Sequence, residues 1–222
     1  FESANPGVTI KWEAVPWGTC QDKVINLAIA GDPVDLAYVG SRTLKGLAEN
    51  GHIINVDIPQ SQIDMYQPGI LNTVSHLGKV WGYPRAFSTK ALFMNCDLLE
   101  EAGVACEGPE TWDELYSMAE AVTNNVPGVA GIGLTGKDFD NTMHQFLNYL
   151  YSNGGQVIDP DTNTITLNSS NTVEALAFYG KLANVAQEGP LAYERSQLRD
   201  LLNDKKIAMY IDGPWGRGTH NE

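Results

Sequence analysis

Segments patterned as strands alternate with segments patterned as helices, and this alternation constrains the fold more than any other feature. Residues 8–15 alternate apolar and polar side chains as a strand does. Residues 21–30 carry apolar side chains on one helical face and are followed by Gly31, a common helix stop. Further strands are predicted at 35–39, 79–84, 90–94, 129–134 and 207–211. Such a chain folds as α/β layers, and strands that read as buried predict mostly parallel sheets.

The helices between these strands are marked by start and stop signals in the sequence. Thr111 and Glu114 stand at capping-box spacing and predict a helix that runs to about residue 124. Apolar residues from Met143 to Tyr151 recur at helical spacing, and a glycine pair ends that helix. Other helices are predicted at 43–50, 97–102, 171–187 and 196–203, and a hairpin at 156–167.

The charge of the chain argues against polyanionic partners. It has 14 basic and 27 acidic residues in 222, a net charge of −13. Nucleic acids and anionic membranes both require clustered Lys and Arg, so neither is predicted as a partner. A neutral, hydroxyl-rich ligand fits this surface better than an anion. No apolar run reaches the roughly 18 residues that indicate a membrane-spanning helix.

A search for reactive groups finds little. Asp32, Asp35, Asp138 and Asp140 are the candidate acids, and a glycosidase would need two carboxylates across one bond. Roles in helix caps and turns explain all four residues better. The histidines are scattered, and no HExxH pair, phosphate-binding glycine loop or GxSxG elbow occurs. No metal and no cofactor is therefore predicted.

Two tryptophans stand where predicted strands end. Trp17 follows the first strand, and Trp215 follows the last one in an Asp-Gly-Pro-Trp turn. Ligands of open α/β sheets bind beyond the carboxyl ends of the strands. An indole offers a flat apolar face, which matches the C–H face of a sugar ring. The alternative is that each indole plugs the end of a sheet.

The three cysteines leave their pairing open. Cys96 and Cys106 flank one short helix and are able to pair, while Cys20 lies far away in sequence. No ligand cluster for zinc is present. We favour three buried or idle thiols.

Six short motifs, in this order, resemble those of the family 1 extracellular solute-binding proteins, the maltodextrin-binding-like receptors of ABC sugar importers. The resemblance covers nearly the whole chain. The motifs are GDPVDL at 31–36, GYP at 82–84, MNCDLL at 94–99, TWDEL at 111–115, GG at 154–155 and AMYIDGPW at 208–215.

The resemblance implies two α/β lobes joined by a hinge, with the ligand in the cleft between them. The first lobe is expected over residues 1–87, the crossover over 88–90 and the second lobe over 91–222. Family members begin with a strand and helix that would precede Phe1, and they continue beyond Trp215. By that measure the fold is expected to be incomplete at both ends.

The resemblance also implies ligand contacts. Trp215 matches the position at which the family stacks an aromatic ring on a sugar, and Gly213 would allow close approach of the backbone. Ser88 stands where some relatives carry an acidic contact, which argues against maltodextrin itself. The other implied contacts are Trp17, Ser41, Arg42, Arg85, Asp138, Asn141 and His144.

The expected function is that of a receptor without enzymatic activity. It would bind a sugar or short oligosaccharide as a monomer and deliver it to the transmembrane subunits of an ABC permease. Its place would be the periplasm or the outer face of the cell membrane. Two alternatives remain open: a carbohydrate hydrolase that uses Asp138 and a second carboxylate, and a structural fragment that binds nothing.

Overall fold

A computed structural model describes residues 1–219 of the chain. The chain divides into two compact units, Phe1–Phe87 and Ser88–Glu222. Both contain helices and strands, which confirms the α/β class. No helix within residues 1–219 has both the length and the apolar character needed to cross a bilayer.

The first unit consists of short helices, one hairpin and extended chain. Its small core is formed by Leu44, Leu47, Ala48, Ile58 and Val74. The hairpin strands pair antiparallel, Ser75 with Val80 and His76 with Lys79. The elements are α1 (Trp17–Ile29), α2 (Ser41–Glu49), α3 (Gln60–Ile63), α4 (Pro68–Asn72), β1 (Ser75–His76) and β2 (Lys79–Val80), after a 3₁₀ turn at Glu2–Ala4.

The strands predicted at 8–15 and 35–39 are not formed. Both segments are extended, but neither pairs with another strand within the described residues. Trp12 is 86% exposed, and Leu36 is 94% exposed. Alternation in sequence favours an extended backbone, whereas a strand also needs a neighbour for its N–H and C=O groups. Here the local preference is present, but no neighbouring strand is found in the part of the chain that the structure describes.

The second unit is built around a three-stranded sheet. Its elements are β3 (Ala91–Met94), α5 (Cys96–Glu101), α6 (Trp112–Asn125), β4 (Ala130–Gly133), α7 (Asp140–Ser152), β5 (Ile158–Asp159), β6 (Thr164–Ile165), α8 (Ser170–Lys181), α9 (Arg195–Asn203), β7 (Ile207–Asp212) and α10 (Gly216–Thr219). Strand β7 is central, antiparallel to β3 and parallel to β4. Strands β5 and β6 form a separate antiparallel hairpin.

The expected predominance of parallel pairs is not found among the described strands. The β4–β7 pair is parallel, and so is a single bridge between Ile132 and Ala186. The other strand pairs are antiparallel. Two of these are local hairpins, whose short turns reverse the chain and permit no crossover.

Strand β7 is buried between two apolar clusters. Ala208 and Met209 belong to the larger cluster, which the helices α5 to α8 complete. Ile207 and Tyr210 pack against Leu198 of α9. Because these four strand residues are fully buried, β7 fixes the place at which the chain emerges into the Asp-Gly-Pro-Trp turn.

The capping box predicted for α6 is confirmed. The Glu114 N–H donates to Thr111 Oγ1 at 3.1 Å, and the Thr111 N–H donates to the Glu114 carboxylate at 3.2 Å. The two bonds satisfy backbone donors that the first helical turn leaves without partners. Sequence alone therefore places the start of α6 correctly.

A buried polar network ties α7 and α8 to the ends of β4 and β7. The Tyr179 hydroxyl donates to the Thr135 carbonyl oxygen at 2.6 Å. Gln145 Oε1 accepts from the Thr135 N–H at 3.2 Å, and its Nε2 donates to the Ile211 carbonyl oxygen at 3.3 Å. The network holds α7 beside the carboxyl ends of the two parallel strands.

Cys96 and Cys106 form a disulfide, so the favoured reading of three idle thiols is wrong. Their Cα atoms lie 5.2 Å apart, across a sequence separation of 10. The chain turns after α5 at Gly103, which has a positive φ, and this turn brings the two sulfurs together. The Cys20 thiol donates to the Trp17 carbonyl oxygen at 3.4 Å.

Replacing both bridged cysteines by serine is expected to lower the free energy of unfolding of the second unit by about 2–3 kcal/mol. A closed loop of this length restricts the unfolded chain by roughly that amount. Urea denaturation of wild type and variant measures it. Wild type treated with a reductant should lose a similar amount, and equal stability with and without reductant would contradict the expectation.

Stability should also fall at high pH because of Tyr179. Burial raises the pKa of Tyr179 from its usual value of 10.0 to about 12. The unfolded chain releases this proton first, so the stabilisation is complete below about pH 10 and is lost as pH rises towards about 12. Urea midpoints at about pH 9 and pH 11 should drop more for wild type than for Tyr179→Phe. Identical drops would contradict the assignment.

Candidate functional site

Trp215 lies just beyond the carboxyl end of β7, as the sequence predicts. Its side chain is 44% exposed, and its Nε1 donates to Asp212 Oδ1 at 2.7 Å. A Cβ atom added to Gly213 would lie 2.3 Å from carbons of the indole. The close approach that Gly213 permits is therefore that of the Trp215 ring, which lies against the Gly213 backbone.

Asp212 is the anchor of this turn and was not singled out from sequence. Its side chain is fully buried and meets four donors. These are Arg195 Nη1 at 3.0 Å from Oδ1, the Tyr210 hydroxyl at 2.6 Å from Oδ2, and the Gly213 N–H and Trp215 Nε1, each at 2.7 Å from Oδ1. Burial is the main cause that raises the pKa of Tyr210, and its hydrogen bond to Asp212 raises it further. The Tyr210 hydroxyl therefore stays protonated and acts as a donor. The only available signal was an acid directly before Gly-Pro-Trp.

Two cations lie over the Trp215 ring. Lys90 Nζ is 4.3 Å from the ring centroid, and Arg195 Cζ is 5.0 Å from it. Burial lowers the pKa of Lys90, and the nearby Arg195 lowers it further, while Asp212 and Asp140 act in the opposite direction. The indole thus combines an apolar face with local positive charge.

The predicted contacts on and before α7 differ in exposure. Asp138 is exposed in the loop before the helix, and His144 is partly buried. Asn141 is buried, and its Nδ2 donates to Glu194 Oε2 at 2.9 Å. Since Glu194 directly precedes Arg195, Asn141 links α7 to the Trp215 anchor and is less available to a ligand than the sequence predicts. Ser88 is exposed.

In the first unit the predicted contacts gather around Tyr38. The Trp17 ring lies 5.7 Å from the Tyr38 ring, and Arg85 Cζ lies 4.7 Å from the Tyr38 centroid. Trp17 does not follow a strand. It is the first residue of α1, and Pro16 stands at the N-cap position of that helix. Tyr38 was missed because its segment was read as a buried strand, although it is 53% exposed.

The loop before α2 is packed closely against this cluster. Gln21 Oε1 accepts from the Gly40 N–H at 3.3 Å and from the Thr43 hydroxyl. A Cβ at Gly40 would lie 3.5 Å from Arg42 Nη1 and 3.7 Å from the Trp17 ring. Ser41 is exposed at the first position of α2. Trp17 and Arg85 thus both lie against Tyr38, and Arg42 lies beside Gly40 near the Trp17 ring.

No group of three or more His, Cys, Asp or Glu side chains within the described part of the chain is arranged to hold a metal ion. The buried carboxylate that contacts the indole is Asp212, and it already accepts hydrogen bonds from four donors. What the two clusters offer is aromatic faces, hydrogen-bonding groups and cations.

The chain belongs to the family of bacterial extracellular solute-binding proteins, whose sequence profile matches residues 1–222. A putative binding protein of Brucella abortus is 30% identical over 225 residues, which cover 97% of this chain and 53% of the relative. The chain thus spans about half the length of the curated relatives it matches.

Two solved structures support the same assignment. A solute-binding protein of an ABC transporter from Thermotoga lettingae, bound with α-D-tagatose, superposes with a TM-score of 0.85 at 25% identity, over 97% of this chain and 56% of its own. The GacH receptor of Streptomyces glaucescens was solved unliganded and with acarbose. It superposes with a TM-score of 0.82 at 26% identity, and the match covers 96% of this chain and 54% of the receptor.

Removing the anchor should destabilise the second unit. Asp212→Ala is expected to lower the free energy of unfolding by about 3 kcal/mol, because it leaves Arg195 and three other donors without their acceptor. Asp200→Ala is the matched control, since it breaks an exposed pair with Arg199 and should cost less than about 1 kcal/mol. Urea denaturation compares the two, and equal losses would contradict the anchoring role.

Proposed function

We propose that this protein binds a sugar or short oligosaccharide and delivers it to the permease of an ABC importer. The observation that carries the proposal is the Trp215 indole, fixed through its Nε1 by Asp212 and partly exposed beyond β7. Since its N–H is engaged, the indole offers the apolar part of its surface that Lys90, Arg195 and Gly213 leave exposed, and this part suits contact with the C–H face of a sugar. The Trp17–Tyr38 pair supplies a second aromatic surface in the first unit.

Relatives support a saccharide as the ligand. The Thermotoga lettingae protein is bound with α-D-tagatose, and the GacH receptor was solved in complex with acarbose. Those ligands belong to those proteins, but both are recognised by the same fold. Polar groups beside the rings, such as Ser41 and Arg42, would read hydroxyl groups at the rim of the sugar.

The domain arrangement and partners belong to the same proposal. Residues 1–87 and 91–222 would be the two lobes, with the crossover at 88–90. The receptor would act as a monomer in the periplasm or at the outer face of the cell membrane, with the transmembrane permease subunits as its protein partner. The Cys96–Cys106 disulfide suits such an oxidising compartment.

We propose that the protein performs no chemistry on the sugar. A hydrolase would need a second carboxylate about 5–10 Å from Asp138, across the scissile bond. Incubation of the protein with an oligosaccharide and assay for new reducing ends tests this. If the protein releases reducing ends and Asp138→Asn abolishes that release, the protein is a hydrolase and the receptor proposal is rejected.

A thermal-shift screen tests the proposal as a whole. The natural full-length chain that contains this sequence is screened against monosaccharides, oligosaccharides, amino acids and dipeptides. A ligand that binds only the folded state raises the melting temperature by mass action. Shifts with saccharides support the proposal, whereas shifts confined to amino acids or peptides would reject it.

Trp215→Ala should weaken saccharide binding by about 1–3 kcal/mol, the range for losing a central aromatic contact. Calorimetry with the saccharide found by the screen measures the change. Trp112→Phe is the control, because Trp112 stacks on Phe178 in the core at 4.7 Å. Unchanged affinity in a folded Trp215→Ala protein would remove Trp215 from the site.

A further inference from the structure

We propose that Lys90 makes the Trp215 surface selective for saccharides that carry a carboxylate, such as uronic acids, over neutral ones. The inference rests on the proposed function, which names a saccharide without specifying its charge. It concerns one residue and one surface of the second unit. Lys90 was not among the contacts that the sequence suggested.

The Lys90 ammonium lies over the Trp215 ring. Its Nζ lies 4.3 Å from the centroid of the Trp215 ring and is therefore directly on the indole face. A sugar that contacts the exposed part of this indole beside Lys90 brings its substituents to the ammonium group. A carboxylate there would form a charge-assisted hydrogen bond, which is stronger than a bond from a hydroxyl group.

The charges around Lys90 leave it without a carboxylate partner among the described residues. Arg195 also lies over the indole, but its guanidinium is paired with Asp212. Asp212 already meets four donors, so it has little capacity left for Lys90. Lys90 forms no ion pair among the described residues. Its ammonium remains the cation available to an incoming anion.

The electrostatic surroundings point the same way. Burial is the main cause that lowers the pKa of Lys90, and the charge of Arg195 lowers it further. These effects outweigh the opposing influence of Asp212 and Asp140. The protein therefore disfavours the charge that Lys90 carries. A ligand carboxylate would supply the missing compensation, whereas a neutral sugar would bury the ammonium without it.

The first unit repeats this pairing of an aromatic ring with a cation. Arg85 lies over Tyr38 at 4.7 Å and forms no ion pair among the described residues. In a chain with a net charge of −13, both aromatic clusters nevertheless carry a cation on the ring. Screening confines the effect of distant acidic residues, so the nearest charges decide which ligand is favoured.

Packing alone would also place a lysine on a tryptophan, and the chain contains a control for that possibility. Lys181 Nζ lies 4.0 Å from the Tyr116 centroid, on a surface formed by α6 and α8. Lys181→Gln removes a similar cation from a ring outside the candidate site. Lys90→Gln removes the proposed determinant, and Lys90→Arg keeps its charge.

The experiment measures calorimetric affinities of the natural full-length chain for a neutral oligosaccharide and for the matching oligouronate. Galacto- and galacturono-trisaccharides, and gluco- and glucurono-trisaccharides, serve as pairs. The oligouronate should bind about tenfold more tightly, as one added charge-assisted bond allows. Lys90→Gln should abolish that preference, while Lys90→Arg and Lys181→Gln should retain it. Added salt should weaken only the oligouronate.

Each other outcome is decisive. Equal or tighter binding of the neutral sugar, or a preference that survives in Lys90→Gln, would overturn the inference and leave the saccharide receptor standing. No binding of any saccharide, with a protein that melts cooperatively, would reject the proposed function as well. If Lys90→Gln does not fold, the wild-type protein still tests the inference, through the ratio of its affinities for the oligouronate and the neutral oligosaccharide and through the salt dependence of that ratio.

Discussion

The buried carboxylate of Asp212 is the interaction on which the candidate site in the second unit depends. It receives four donors, from α9, β7 and the following turn. A buried carboxylate requires such partners, because an unpaired charge away from water is strongly unfavourable. The same bonds fix the plane of the Trp215 indole, so satisfying one buried charge also orients an aromatic surface towards solvent.

The site also illustrates how local charge differs from net charge. The composition argues for a neutral ligand, since acidic residues outnumber basic ones almost twofold. The structure nevertheless places Lys90 and Arg195 on one ring and Arg85 on another. Net charge governs long-range behaviour, whereas contacts at about 4–5 Å respond to the groups that burial has placed nearby.

Much of the fold could be predicted because local signals determine it. The capping box at Thr111 and Glu114 sets the start of α6, and a glycine with positive φ, Gly154, follows α7. Strand β7 was predicted to within one residue, because its apolar run is bounded by a charged segment and a turn. These features depend on neighbours in sequence, so no knowledge of the tertiary structure was needed.

The errors arose where the outcome depends on distant partners. Residues 8–15 and 35–39 have the pattern of strands but pair with no strand within residues 1–219, and Trp12 and Leu36 are exposed. The direction of strand pairing could not be predicted either, since side-chain pattern is similar for both directions. The Cys96–Cys106 bridge was left open because spacing alone does not fix the approach of two sulfurs.

The sequence by itself determined the α/β class, the family and the position of Trp215 at the end of a strand, because motifs and turns are encoded locally. Only the tertiary structure decided that Asp212 anchors the indole, that Gly213 accommodates that ring, that Asn141 is occupied by Glu194 and that Lys90 lies on the aromatic face. Each of these depends on a distance between side chains from different elements. Such distances follow from packing and burial, which no single segment of the chain specifies.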